Sequence, residues 1–171
     1  MWSIKTNEEG DIICDLESSE LMDDGYATHL AVMESSKSFV AGSSNNHLFH
    51  YDYGSSDIKM IRQFVDAHTD DITGVSRDPS NVQQFVSSSK DRSVVMWDLR
   101  IPTPDVKSML YNANGLMFHS VHWCDAEENN GLVMVGARNG FIYSIDVRHP
   151  KVFVNKIKAA HIPVTKMVFD G

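Results

Sequence analysis

The chain has 171 residues, 15 Lys and Arg against 23 Asp and Glu, and a formal net charge of −8. That length holds one domain with a sizeable core, and a hydrophobic fraction of 42% excludes wholesale disorder. No apolar run approaches the ~18 residues of a membrane-spanning helix, and the acidic balance argues against a dedicated nucleic-acid binder.

The charge is unevenly spread. Residues 1–58 hold two basic groups, Lys5 and Lys37, against eleven acidic ones, and residues 59–171 hold thirteen against twelve. An acidic first third suits a basic partner, although solvated loop charge is the plainer reading of any single cluster. Met1 to Gly10 is polar and acidic, so no signal peptide is expected there. Cys14 and Cys124 make no disulfide framework and fit a reducing compartment.

In chain order, Met1-Trp2-Ser3-Ile4 reads as the closing strand of an earlier unit. Phe39-Val40-Ala41-Gly42-Ser43-Ser44-Asn45 and Leu48-Phe49-His50-Tyr51-Asp52 then read as two strands joined by a tight turn. The clearest segment is His68 to Arg100. Asp66-Ala67-His68 leads into it, followed by alternation at Ile72 and Val75 and the turn Asp78-Pro79-Ser80. Phe85 to Arg92 and Val94-Val95-Met96-Trp97-Asp98 follow. The same pattern returns in Val133 to Gly140 and Ile142-Tyr143-Ser144-Ile145-Asp146. In each unit a turn Asn or Asp precedes the closing apolar residue by six positions: Asn45 to Tyr51, Asp91 to Trp97, Asn139 to Ile145. The closing pairs recur at intervals of 46 and 48 residues, and Ala-His appears at 67–68 and 160–161.

The period and the His…Ser…Asp…Trp-Asp pattern resemble WD repeats, each a four-stranded blade of a β-propeller. The resemblance implies an all-β fold: a partial propeller of about three four-stranded antiparallel blades plus incomplete end strands. The expected repeat units are approximately 11–53, 60–100 and 107–148, with partial units at 1–6 and 152–171, in one incomplete domain spanning 1–171. By the same resemblance His68, Ser87, Asp91 and Trp97 form a structural tetrad. In it the Trp indole bonds the hydroxyl, the hydroxyl bonds the His, and the His bonds the Asp. Ala41 and Val135 stand where Ser87 stands, and Tyr51 and Ile145 where Trp97 stands, so the other blades depend on apolar packing.

Catalytic and metal chemistry find little support. No nucleophile-elbow glycines surround Ser87, and the tetrad accounts for the Ser, His and Asp together. His47 with His50, and His119 with His122, lie three apart in strands or their edges, where side chains point to opposite faces, and no further ligand completes a zinc set. Asn112-Ala113-Asn114-Gly115 lacks the Gly-Lys-Ser/Thr of a phosphate loop. Lys151, Lys156, Lys158 and Lys166 form a loose basic stretch that reads as a solvated outer strand. No cofactor, metal, membrane or direct nucleic-acid partner is expected.

Two partner classes remain. Asp66-Ala67-His68, Val94-Val95-Met96-Trp97-Asp98-Leu99-Arg100 with the following Pro102-Thr103-Pro104, Ser120-Val121-His122-Trp123, Gly136-Ala137-Arg138-Asn139-Gly140, and Ala160-His161 with Val164-Thr165 resemble methylosome WD-repeat subunits. That resemblance implies a cytoplasmic or nuclear scaffold that binds a type II protein arginine methyltransferase and presents arginine-rich histone and Sm-type substrates. Alternatively, Trp97-Asp98-Leu99-Arg100 is a W-D-x-R sequence with a degenerate copy at Ile145-Asp146-Val147-Arg148. This resembles receptors of cullin-RING ubiquitin ligases in this fold, which carry such Arg residues for adaptor docking, and the resemblance implies Asp98, Arg100, Asp146 and Arg148 as partner-docking residues. A local turn or ion pair at the strand end is the plainer reading, and a generic WD-repeat adaptor is the minimal one.

Closed propellers use roughly four to eight blades. The units read here predict an open arc, as in a truncated isoform, an incomplete gene model or a fragment. Its unpaired blade edges invite self-association.

Overall fold

The computed structural model describes residues 2–6, 12–16, 25–33, 36–54, 58–65, 67–101, 108–112, 115–124 and 131–167. Asp66, Pro102-Thr103-Pro104, Ala113-Asn114 and most of the acidic clusters before Gly25 fall outside those residues. The described chain is all β. Strands β1 (Trp2–Thr6) and β2 (Ile12–Leu16) pair antiparallel as a two-stranded sheet, with Ile4 opposite Cys14.

Three four-stranded antiparallel sheets follow. The first contains β3 (Ala27–Met33), β4 (Ser38–Ser43), β5 (Leu48–Asp52) and β6 (Lys59–Phe64). The second contains β7 (Ile72–Arg77), β8 (Gln84–Ser89), β9 (Ser93–Asp98) and β10 (Ser108–Asn112). The third contains β11 (Phe118–Trp123), β12 (Leu132–Ala137), β13 (Phe141–Asp146) and β14 (Phe153–Lys158). In each sheet the strands lie side by side in chain order, the meander of a propeller blade. The outermost strand always follows the closing Tyr51-Asp52, Trp97-Asp98 or Ile145-Asp146 pair.

The blades share irregularities as well as order. The first strand shifts register between Ala27 and His29, Ile72 and Gly74, or Phe118 and Ser120. Each bulge adds local twist, which a blade needs to pack against neighbours on both faces. The turns joining the second and third strands also agree. Asn46, Arg92 and Gly140 occupy the same turn position with φ of 60°, 74° and 78°. Asn and Gly tolerate this left-handed region, whereas a long side chain such as Arg is strained there by about 1 kcal/mol. Arg92→Gly relieves that strain at an exposed site. The expected result is a gain of about 0.5–1 kcal/mol in unfolding free energy, read by urea denaturation.

The core lies between blades. Val40, Leu48 and Phe64 of the first blade pack on Ile72, Phe85, Val95 and Trp97 of the second. Phe64 meets Trp97 edge to face at 5.4 Å, and Phe85 stacks on Trp97 at 6.1 Å. Val86 and Val94 on the opposite face of the second blade pack on Phe118, Val121 and Val133 of the third. Tyr111 stacks on Phe153 at 3.9 Å across the same junction. Alternating strand residues therefore serve two different interfaces, so a blade is buried on both sides. Gly42 shows how tightly the inner strands meet. A Cβ placed there would lie 2.5 Å from Ile72 Cγ2, so only glycine admits the neighbouring strand.

Candidate functional site

The densest polar constellation sits inside the second blade. Trp97 Nε1 donates to Ser87 Oγ at 2.8 Å, and Ser87 Oγ lies 2.7 Å from His68 Nε2. His68 Nδ1 lies 2.9 Å from Asp91 Oδ2 and 2.8 Å from Ser93 Oγ. The carboxylate only accepts, so Nδ1 carries a proton, which faces both Asp91 Oδ2 and Ser93 Oγ. In the tautomer with a bare Nε2, the Ser87 hydroxyl donates to that nitrogen while accepting from Trp97.

Asp91 anchors the far end. Its Oδ2 also accepts from the Thr69 backbone N–H at 3.0 Å, and its Oδ1 accepts from Ser93 N–H and Oγ–H at 2.8 and 2.6 Å. Burial opposes its ionisation, but the bonds from His68, Ser93 and Thr69 outweigh that and hold the carboxyl well below the usual carboxylate range. The order of Ser, His and Asp matches a hydrolytic triad, yet Ser87 is fully buried and its oxygen already accepts the indole N–H. No substrate carbonyl reaches a nucleophile so enclosed.

His68 also ties its blade to the one before. Its backbone N–H donates to Asn46 O, and Asn46 Nδ2 donates to His68 O, both at 3.2 Å. In the first and third blades the tetrad positions diverge. Ala41, Val135 and Ile145 are buried in apolar contacts, and Tyr51 stacks on Phe39 at 4.9 Å. Asn139, at the Asp91 position, accepts from Phe141 N–H and donates to the Tyr143 hydroxyl.

The strand ends carry a second repeated device. Arg100 Nε donates to Asp98 Oδ1 at 2.9 Å, its Nη2 bonds Oδ2, and its backbone N–H returns to Oδ1 at 3.0 Å. Arg148 forks onto Asp146 in the same way, with Nε and Nη2 both at 2.8 Å. The bonds from Arg100 hold the Asp98 carboxyl down at about 2, and those from Arg148 depress Asp146 likewise. Both guanidinium groups are mostly exposed, at 62% and 66%. Two-residue loops close these forks, so solvent screens them and they add little to stability. Arg100→Ala is therefore expected to leave the thermal unfolding midpoint almost unchanged at neutral pH, measured by circular dichroism.

His50 faces the second blade beside Arg62, and burial together with that guanidinium lowers its pKa. Among the described residues no group of three or more His, Cys, Asp and Glu side chains is placed to hold a metal ion. Burial pushes the Cys124 thiol up, away from the reactive thiolate.

Several polar residues that join blades carried no sequence signal. Thr73 Oγ1 donates to Phe118 O at 3.0 Å, Trp123 N–H donates to Ser76 Oγ at 2.9 Å, and Ser120 Oγ donates to Val164 O at 2.8 Å. A Ser or Thr in a strand reads as surface polarity until the neighbouring blade is in place.

These sheets define the fold class: an all-β chain of four-stranded antiparallel sheets, consistent with partial β-propeller blades. No protein-family model matches the chain. Protein valois of Drosophila melanogaster is 26% identical over 115 residues, covering 66% of this chain and 31% of its own length. Pre-mRNA-processing factor 17 of Saccharomyces cerevisiae is 28% identical over 118 residues, covering 66% of this chain and 25% of its own. Autophagy-related protein 16 of Arabidopsis thaliana is 32% identical over 75 residues, covering 44% and 14%. The chain thus spans about a third or less of these relatives.

Proposed function

We propose that this chain is a non-catalytic scaffold of the methylosome kind, acting in the cytoplasm or nucleus. On this reading it binds a type II protein arginine methyltransferase and presents arginine-rich substrates such as histones and Sm-type proteins. The observation that carries the scaffold reading is the closed tetrad. The most reactive-looking side chains of the molecule, Ser87, His68 and Asp91, are consumed in holding one blade together. What the blades offer a partner is shaped surface rather than chemistry. The methyltransferase rests on the resemblance of the sequence to methylosome subunits, and the acidic first 58 residues suit a basic substrate.

The test is capture by the purified, immobilised chain. It is expected to retain a purified type II arginine methyltransferase and an arginine-rich peptide, and failure to retain the methyltransferase overturns the specific reading. The second reading, a ubiquitin-ligase receptor, is favoured by the repeated exposed forks of Arg100 on Asp98 and Arg148 on Asp146. It requires capture of a cullin adaptor that Arg100→Ala abolishes while the fold is preserved.

A further inference from the structure

Equivalent positions in the three blades make an internal control for what lies between them. Leu48, Val94 and Ile142 are corresponding third-strand residues. Two residues further along, on the same strand face, stand His50, Met96 and Ser144. Their outer-strand partners are Arg62, Ser108 and Asn155. Met96 packs on the core shared by the second and third blades, as an apolar residue does. Of the three blades, the first alone sets a histidine and an arginine side by side at this place.

The burial of that pair is not balanced by partners. His50 is only 9% exposed, and its Nε2 is buried with no hydrogen-bond partner among the described residues. Arg62 Nη2 is buried and unpartnered in the same way. A buried donor without an acceptor is costly, and a charged one more so. The rest of the guanidinium is fixed. Its Nη1 donates to Ile101 O, just beyond β9 of the second blade, and its Cζ lies 4.3 Å from the Phe64 ring centroid. Phe64 therefore covers one face of the planar head and Ile101 holds one edge, which leaves Nη2 to bond. Arg100 and Arg148 each fork onto a carboxylate, whereas Arg62 has none within ion-pair distance among the described residues. Asp52, two residues from His50 on the same strand, accepts from Gly54 N–H at 2.6 Å and stands opposite Lys59.

Directly opposed residues of antiparallel strands hold their side chains about 5 Å apart, so the two unpartnered nitrogens serve one ligand. Burial and the Arg62 charge lower the His50 pKa against the opposing pull of Asp52, so the ring is neutral at neutral pH. In the tautomer protonated at Nε2 it donates without adding charge. The junction then offers one positive charge and two N–H groups, which matches the charge and the two oxygens of a carboxylate. A phosphate dianion brings a second charge and further oxygens that nothing among the described residues there satisfies. The apolar Phe64 ring alongside strengthens such bonds by lowering the local dielectric. The way in lies beside Arg62, which is half-buried, and past Ile101 and the exposed Arg100.

We propose that the junction of the first and second blades is a carboxylate-binding site, in which Arg62 Nη2 and His50 Nε2 each donate to one oxygen of an acidic side chain or of a small carboxylic acid. The site is separate from the Asp98–Arg100 fork. It does not depend on which methyltransferase or adaptor the scaffold carries.

The histidine ring resonances of the nitrogen-15-labelled full chain test this, as chloride is replaced by acetate at constant ionic strength. The His50 signal is the one that His50→Gln lacks. It is expected to move saturably, half-complete at about 1–10 mM acetate, while the signals of His29 and His149 stay in place. Arg62→Gln is expected to weaken this response about tenfold or more, with a thermal midpoint showing that the blades remain folded. Should that variant not fold, Arg62→Lys serves instead. It keeps the charge but loses the planar fork, and a weakening of about threefold or more is expected. A blocked Gly-Glu-Gly tripeptide, set against its Gln counterpart, separates the sources. A response to the Glu peptide assigns the site to a partner's acidic side chain, and a response to acetate alone assigns it to a free carboxylic acid. No saturable movement of His50 with either probe overturns the proposal. An unchanged response in the Arg62 variants overturns it too, as does tighter binding of inorganic phosphate than of acetate.

Discussion

Trp97→Ala is expected to lower the unfolding free energy by about 3–5 kcal/mol, the largest loss from any single truncation in the chain. Two mechanisms act together at this site. The indole fills the junction between the first and second blades, edge-on to Phe64 and stacked on Phe85, so its removal opens a cavity in that core. It also donates to Ser87 Oγ, so its removal leaves a fully buried hydroxyl oxygen without its donor. Trp97→Phe separates the two terms, because it keeps most of the ring packing and loses the hydrogen bond. Its expected cost is about 1–3 kcal/mol. Chemical denaturation of the wild type and both variants measures the difference. A loss below about 1 kcal/mol for Trp97→Ala would show that the blade does not depend on the tetrad.

Asp91→Ala is expected to cost about 3 kcal/mol or more, because three donors, Thr69 N–H and both donors of Ser93, lose their acceptor at once and His68 Nδ1 loses one of its two partners. The same carboxylate sets a pH dependence. Its pKa is lower in the folded chain than in the unfolded one, so the unfolded state takes up its proton first as pH falls. The stabilisation is complete above the unfolded value of about 4 and drains away as pH falls from there toward the lower folded value. Denaturation midpoints recorded from pH 7 down to about pH 3 are expected to fall in the wild type. In Asp91→Asn, which has no charge to lose at this position, the fall is expected to be shallower. Equal slopes in the two proteins would remove Asp91 from the account of acid sensitivity.

Much of the architecture was legible because blades repeat. Strand alternation, the turn residues Asn45, Asp91 and Asn139, and the closing pairs at 51–52, 97–98 and 145–146 all recur in register. Repetition turns three weak local patterns into one strong one. The tetrad residues were legible through the resemblance of this unit to WD repeats, and their partners lie in the same unit. The turn strain at Arg92 was not legible, since the left-handed backbone there shows only when Asn46 and Gly140 are superposed on it by structure. Thr73, Ser76 and Ser120 were also invisible, because their partners Phe118, Trp123 and Val164 lie in the next unit along the chain. The paired Asp–Arg sequences raised a docking reading, and the structure adds that both guanidinium groups fork locally onto the carboxylates two residues before them.

By itself the sequence of 171 residues determined that the chain is built of repeated β units and which residues each unit contributes to its strands and turns. Periodicity of 2 along strands and a repeat near 47 along the chain are local properties, carried by side-chain polarity and turn chemistry. The tertiary structure alone decided which face of each blade is buried and which is left open. Leu48 is fully buried, while its counterpart Ile142 is only partly so, and the outer-strand residues Phe64 and Ile157 differ far more, although all are apolar. Burial belongs to the blade packed alongside rather than to the residue, and no property of an isoleucine in its own strand reports whether a neighbour has arrived.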